Sequence, residues 1–173
     1  AVNRPLVCVS IEGYTVKECI KSAGLATLAG ADMLEIRFDC FYLSKIHHQN
    51  PDGSEDSKKK NYEVIPRDVS EVDVPNTISR LKESIESPVI FTCRSKEEGG
   101  YFPGTEDERI EILTKAIKSE VSWIDLEINI ESKVRKKLVD SASKSNTKII
   151  SSFHDVNQTP NADEIITLIE GNI

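Results

Sequence analysis

Apolar positions change period repeatedly along this chain. Leu6 to Ile11 is a short run rich in β-branched residues, which predicts a strand. Val16, Cys19, Ile20 and Ala23 then recur at helical spacing behind Thr15-Val16-Lys17-Glu18. That tetrapeptide has the form of a capping box, with Thr accepting from an early helix N–H and Glu reaching back. Gly30 stops the helix, and Met33 to Phe38 predicts a second strand. A helix at about Asn76 to Glu86 puts Ile78, Leu81 and Ile85 on one face, and Pro88 to Cys93 predicts a third strand.

The second half repeats the scheme. Thr105-Glu106-Asp107-Glu108 is a second capping box, opening a helix with Ile110, Leu113 and Ile117 on its apolar side. Val121 to Ile128 predicts a fourth strand, Val134, Leu138 and Ala142 a helix, and Lys148 to Phe153 a fifth strand. Thr159-Pro160 offers a cap with Pro in the first turn, where its missing N–H costs nothing; Ala162, Ile166 and Ile169 carry the last helix.

A βα unit repeated five times requires a parallel sheet covered by helices. Two architectures satisfy it: an open doubly wound sheet, or part of a (β/α) barrel, which typically needs ~250 residues. At 173 residues, length alone favours the open sheet. The connection from Tyr42 to Val74 breaks the rhythm and is too long for an ordinary βα loop. Its polar stretch, Pro51 to Lys60, reads as a mobile, solvated loop tip, with a short extended stretch at Tyr62 to Ile65.

Polar residues interrupt the strands in a pattern. Alternation puts Glu35 and Arg37 on one face, opposite Leu34, Ile36 and Phe38, and puts Asp125 and Glu127 together opposite Ile124, Leu126 and Ile128. The third strand ends in Thr92-Cys93-Arg94, the fifth places Ser152 and His154 on one side, and the first contributes Ser10. One such residue alone fits a buried ion pair. Five strands whose polar residues gather toward their C-terminal ends fit a site for a polar small molecule, because parallel α/β folds bind ligands there. His154-Asp155 has the residue types for general acid–base work. Gly99-Gly100 after Arg94-Ser95-Lys96-Glu97-Glu98 permits either a closing loop or a tight turn.

Composition narrows the classes. Against 22 basic side chains stand 29 acidic ones, a net charge of −7 that argues against a nucleic-acid surface. No stretch approaches the ~18–20 apolar residues of a membrane span. Ala1 to Pro5 runs straight into the first strand with no signal-peptide pattern and no initiator Met, as in a chain that starts after processing or is cut from a longer one. Cys8, Cys19, Cys40 and Cys93 lack metal or redox spacing and read as buried free thiols in a reducing, cytoplasmic setting.

Glu35-Ile36-Arg37-Phe38-Asp39, Phe91-Thr92-Cys93-Arg94-Ser95-Lys96-Glu97-Glu98-Gly99-Gly100, Asp125-Leu126-Glu127 and Ser151-Ser152-Phe153-His154-Asp155, followed by Gln158-Thr159-Pro160, resemble type I 3-dehydroquinate dehydratase, in that family's order. The resemblance implies a (β/α)₈ barrel of the TIM type, of which residues 1–173 form the N-terminal part, about the first five βα units, with an insertion at 42–74. It implies a shikimate-pathway lyase that converts 3-dehydroquinate to 3-dehydroshikimate through a Schiff base. His154 takes the role of general acid and base, with Glu98 orienting it as its catalytic partner. Glu35, Arg37 and Arg94 grip substrate hydroxyls, with Ser10 at the margin. The family's Schiff-base lysine lies on a sixth strand, beyond Ile173; Lys148 opens the fifth strand at the wrong end to replace it. No cofactor and no metal are expected, since the imine does the work of a Lewis acid; a homodimer stays open. Two other readings remain: a non-catalytic truncated relative binding a polyhydroxylated acid or a partner chain, and an open phosphate-binding module. The latter lacks a glycine-rich loop after the first strand, where Ile11-Glu12-Gly13-Tyr14 stands.

Overall fold

The computed structural model of the chain describes residues 4–47 and 62–171. In chain order the elements are β1 (Cys8–Ile11), α1 (Val16–Leu28), β2 (Met33–Arg37), β3 (Leu43–His47), β4 (Tyr62–Pro66), α2 (Val74–Ser84), β5 (Val89–Thr92), α3 (Glu106–Lys118), β6 (Trp123–Glu127), α4 (Ser132–Ala142), β7 (Lys148–Ser152) and α5 (Ala162–Glu170). β1, β2, β5, β6 and β7 form one sheet in that order, every neighbouring pair parallel. Each strand therefore adds to the same side of the last. A doubly wound sheet reverses direction at a switch point; this one does not. The sheet grows as a (β/α) barrel grows, so strand order overrides the argument from length.

Right-handed crossovers taken always in one direction keep the helices on one face, and α1 to α4 pack against one another in succession. The core lies between sheet and helices. Leu34 and Ile36 of β2 and Ile124 and Leu126 of β6 are fully buried there with Ile78, Leu113 and Ile117 of the helices. The Thr105 box forms in full: Thr105 Oγ1 accepts from Glu108 N, and Glu108 accepts from Thr105 N at 2.7 Å. At α1, Thr15 caps as expected, but the Glu18 carboxylate accepts from Tyr14 N and Lys45. The last cap is Asn161 with Glu164, not Thr159; Pro160 precedes the cap instead of entering the first turn.

β2 does not extend to Phe38. Phe38–Tyr42 winds into a buried 3₁₀ turn whose rings pack inward, Phe38 tilted against Phe91 at 4.7 Å and Tyr42 edge-to-face with Phe102 at 4.9 Å. β3 and β4 then form an antiparallel ribbon outside the main sheet, with Leu43 opposite Pro66. The extended stretch expected at Tyr62 is β4; its partner β3, with mixed polarity, was hidden in what reads as a loop. Pro51 to Lys60 lies outside the described residues.

The two ends of the sheet differ from its middle. Among the described residues β1 and β7 each pair on one side only, and α5 buries no residue. Ile165, Ile166 and Ile169 stand exposed beyond β7, as do Leu6, Val7, Leu25 and Leu28 beside β1. Cys8 is exposed on this uncovered edge, against the expectation of a buried thiol. Cys19, Cys40 and Cys93 are buried, and burial pushes the Cys19 and Cys40 thiols up to about 12. No helix among the described residues is long and apolar enough to cross a membrane.

Loss of the α3 box has a measurable cost. Thr105→Ala is expected to lower unfolding free energy by about 1 kcal/mol in urea titration. An unchanged midpoint contradicts the role assigned to the cap.

Candidate active site

β2, β5, β6 and β7 bring their C-terminal ends side by side, and a single guanidinium ties them. Arg94, just past β5, is almost fully buried. It reaches Asp125 at 2.6 Å and Glu127 at 3.0 Å on β6, and donates to Ser152 Oγ of β7 at 3.0 Å. Glu35 of β2 lies 3.7 Å away and Glu98 3.9 Å. Glu35 in turn accepts a short hydrogen bond from Ser10 Oγ. The face opposite the helices is thus lined by charges that satisfy one another, which is the condition for burying them.

Two further arginines brace this set. Asp39, in the 3₁₀ turn, is fully buried and receives Arg37 Nε at 3.0 Å, Arg37 Nη2 at 2.8 Å, Arg94 N at 3.3 Å and Tyr101 N at 3.1 Å. Burial opposes the charge on Arg37, but the Asp39 carboxylate overrides it and raises the guanidinium pKa above its ordinary value. On the other side, Arg109 of α3 lies 3.1 Å from Glu127, donates to Cys93 O at 2.8 Å and pairs with Glu106 at 2.7 Å.

The turn after β5 delivers Glu98. Ser95 O accepts from Gly100 N at 2.7 Å, and Gly99 adopts φ 82°. A Cβ at Gly100 would fall 2.1 Å from Arg94 O, so no larger residue fits. Of the two options for the glycine pair, the tight turn is realised. It places Glu98 beneath His154: Oε2 accepts from His154 N and lies 3.0 Å from Nδ1. The Glu98 side chain is 2% exposed and the His154 side chain 44%. Against an ionised carboxylate, which only accepts, a neutral His154 ring would carry its proton on Nδ1 and leave its lone pair on Nε2. The ring is thus held from one side by Glu98 and remains half exposed on the other.

Ser10, Glu35, Arg94, Glu98 and His154 are therefore linked through direct contacts, and Arg37 joins them through Asp39. A cleft of about 350 Å³ lies beside the turn, lined by Ser95, Lys96, Glu98, Arg109, Glu127 and Asn129 but not by Glu35, Arg37 or His154. Sequence reasoning gave no role to Asp39, Arg109 or Asn129. Arg109 sits one turn before Ile112 and Leu113, on the buried side of α3, and that signal was there to be read; Asn129 lies in the turn after β6, where the strand's alternation no longer applies. Among the described residues no three His, Cys, Asp or Glu side chains are arranged to hold a metal ion.

A one-directional parallel sheet with an imidazole–carboxylate pair and a buried arginine at its carboxyl end defines a barrel-type α/β protein. The family model for type I 3-dehydroquinase matches residues 7–171, and the chain belongs to that family. It is 34% identical over 163 residues to the 3-dehydroquinate dehydratase of Methanothermobacter thermautotrophicus, covering 94% of this chain and 58% of that protein. It is 26% identical over 164 residues to that of Desulfotalea psychrophila, covering 95% and 58%. The type I enzyme of Clostridium difficile superposes with a TM-score of 0.70 at 28% identity, covering 95% of this chain and 56% of that one. The enzyme of Enterococcus faecalis gives 0.71 at 21% identity, covering 94% and 59%, which bears on the fold alone. The chain thus spans less than two thirds of the length of these relatives.

Removing the buried cation leaves several buried carboxylates facing one another. Arg94→Ala is expected to cost about 3–5 kcal/mol in denaturant unfolding, the usual price of stranding buried charge. A loss under about 1 kcal/mol, the scale of an exposed pair, contradicts the central position given to Arg94.

Proposed function

We propose that this chain is the N-terminal part of a type I 3-dehydroquinate dehydratase domain, with residues 42–74 as an insertion, and that it acts in the shikimate pathway of the cytoplasm. The observation that carries the reading is the Glu98–His154 pair, with the imidazole Nε2 left open next to the Arg94 cluster.

In the proposed reaction a lysine of the completed barrel condenses with the 3-dehydroquinate ketone. The iminium accepts the electron pair released when His154 Nε2 removes the α proton. The same imidazole, now protonated, gives its proton to the departing hydroxyl, which leaves as water and forms the new double bond. Glu98 steadies the cationic imidazole between these steps. Glu35, Arg37 and Arg94, with Ser10 at the margin, hold the substrate's hydroxyl groups. Asp125 Oδ1 is buried without a hydrogen-bond partner among the described residues and offers one more acceptor.

Charge supports the placement of the lysine elsewhere. Glu35, Asp39, Glu98, Asp125 and Glu127 outnumber Arg37, Arg94 and Arg109 in this network. An anionic substrate needs further cations there. Lys148 stacks on Trp123 at the opposite end of the sheet, 5.0 Å from its ring centre. Lys96 Nζ turns to Pro103 O at 3.3 Å. The missing cations then belong to the remaining βα units, whose strands would also pair the free edges of β1 and β7 and cover α5.

Two experiments follow. Residues 1–173 alone should self-associate in sedimentation and show no formation of dehydroshikimate by absorbance, because unpaired strand edges and bare apolar helices favour association; adding the remaining units should restore order and turnover. A well-behaved monomer that turns over substrate unaided overturns the reading. In the complete enzyme, His154→Ala should lower kcat by ~10²–10⁴-fold with little change in substrate binding, whereas near-normal kcat removes His154 from the chemistry.

A further inference from the structure

The hydrogen bonds of Glu98 divide between its two oxygens. Oε2 serves His154 through both the backbone N and Nδ1, each at 3.0 Å. Oε1 receives Asn129 Nδ2 at 2.9 Å, the one hydrogen bond it makes among the described residues. The Glu98 carboxylate is nearly sealed from solvent, so each oxygen depends on protein donors.

Asn129 reaches that position for structural reasons. It lies two residues past Glu127, in the turn that follows β6, whose Asp125 and Glu127 already face Arg94. Its neighbours are pinned: Ile128 N donates to Ser152 O at 2.9 Å, and Ile130 N to Glu127 O at 3.3 Å. The amide therefore arrives from the β6 end while the imidazole arrives from beyond β7, and Glu98 is clamped between them.

We infer that Asn129 is a positioning residue for the acid–base pair: its amide N–H holds Glu98 as an oriented carboxylate, and Glu98 thereby holds His154 in the tautomer with Nε2 open. An amide N–H only donates, so its bond fixes Oε1 as an acceptor and sets the rotation of the carboxylate. So oriented, Oε2 is an acceptor for a proton on His154 Nδ1. Without the amide, Oε1 loses its donor and the carboxylate is free to turn away from Nδ1. Nothing then holds the ring proton on Nδ1, the Nε2–H tautomer gains population, and Nε2 is blocked as a base. The inference rests on the dehydratase reading for its kinetic consequence but not for its structural one.

The test pairs kinetics with spectroscopy on the full-length protein that carries this chain. Asn129→Ala should lower kcat by about tenfold with KM within about twofold, a fraction of the ~10²–10⁴ that acid–base catalysis supplies. Asn129→Asp, the same size but with an acceptor in place of the donor, should lower kcat further, and Asn129→Gln should recover part of it. Thermal midpoints should fall by no more than several degrees, the scale of one lost donor to a buried acceptor. In ¹⁵N spectra of the neutral imidazole, His154 should be the Nδ1–H tautomer in the unaltered protein and a mixture in Asn129→Ala and Asn129→Asp. Unchanged tautomer and kcat in both variants overturn the inference while leaving the dehydratase reading intact, and so does an Nε2–H tautomer in the unaltered protein. Absence of dehydratase activity in the unaltered protein, with the tautomer responding to Asn129 as expected, overturns the functional reading and leaves the positioning role standing.

Discussion

One buried guanidinium governs the active end of this molecule. Arg94 touches or nearly touches carboxylates from β2, β6 and its own turn, together with a hydroxyl from β7. Buried charges persist only when paired, so each of these acids depends on Arg94 and fixes it in return. Strand ends that would otherwise splay are held in register by the same contacts. Asp39 and Arg109 extend the network on either side, and both bind backbone as well as side chains. The residues proposed to hold substrate are thus the residues that hold the sheet end together, and altering one for chemistry disturbs the other.

The Glu98–His154 pair differs from that network in its relation to solvent. Glu98 is enclosed by a turn that only glycine at position 100 allows, whereas His154 stands half in the open. A sealed acceptor beneath a half-exposed imidazole orients the ring from one side and leaves its other side accessible. The order of strands adds to this: a sheet wound in one direction keeps its helices on one face and brings the carboxyl ends of all five strands to one rim.

Much of this was legible in the residues. Period changes located all five strands of the main sheet and their helices, because burial on the helix side enforces alternation at Leu34-Glu35-Ile36-Arg37 and Ile124-Asp125-Leu126-Glu127. What escaped has physical causes. β3 carries no clean alternation, since its ribbon leans outside the main sheet, so pairing with β4 had no local signal. The cap of α5 moved to Asn161 because Glu164, three residues on, completes a reciprocal pair that Thr159 cannot. Asp39 owes its role to contacts across the fold, which no spacing within one element encodes. The direction of sheet growth also needed coordinates, because a βα repeat is compatible with either winding.

On the proposed reading, these residues form the acid–base and hydroxyl-binding part of an imine-forming site whose lysine comes from outside them. Borohydride reduction of the full-length protein in the presence of 3-dehydroquinate, followed by peptide mass mapping, distinguishes that arrangement from its alternatives. One reduced adduct is expected, on a lysine outside residues 1–173, formed only with substrate present. An adduct on Lys96, Lys148 or another lysine of this chain, or no adduct in a protein that still turns over substrate, would contradict it.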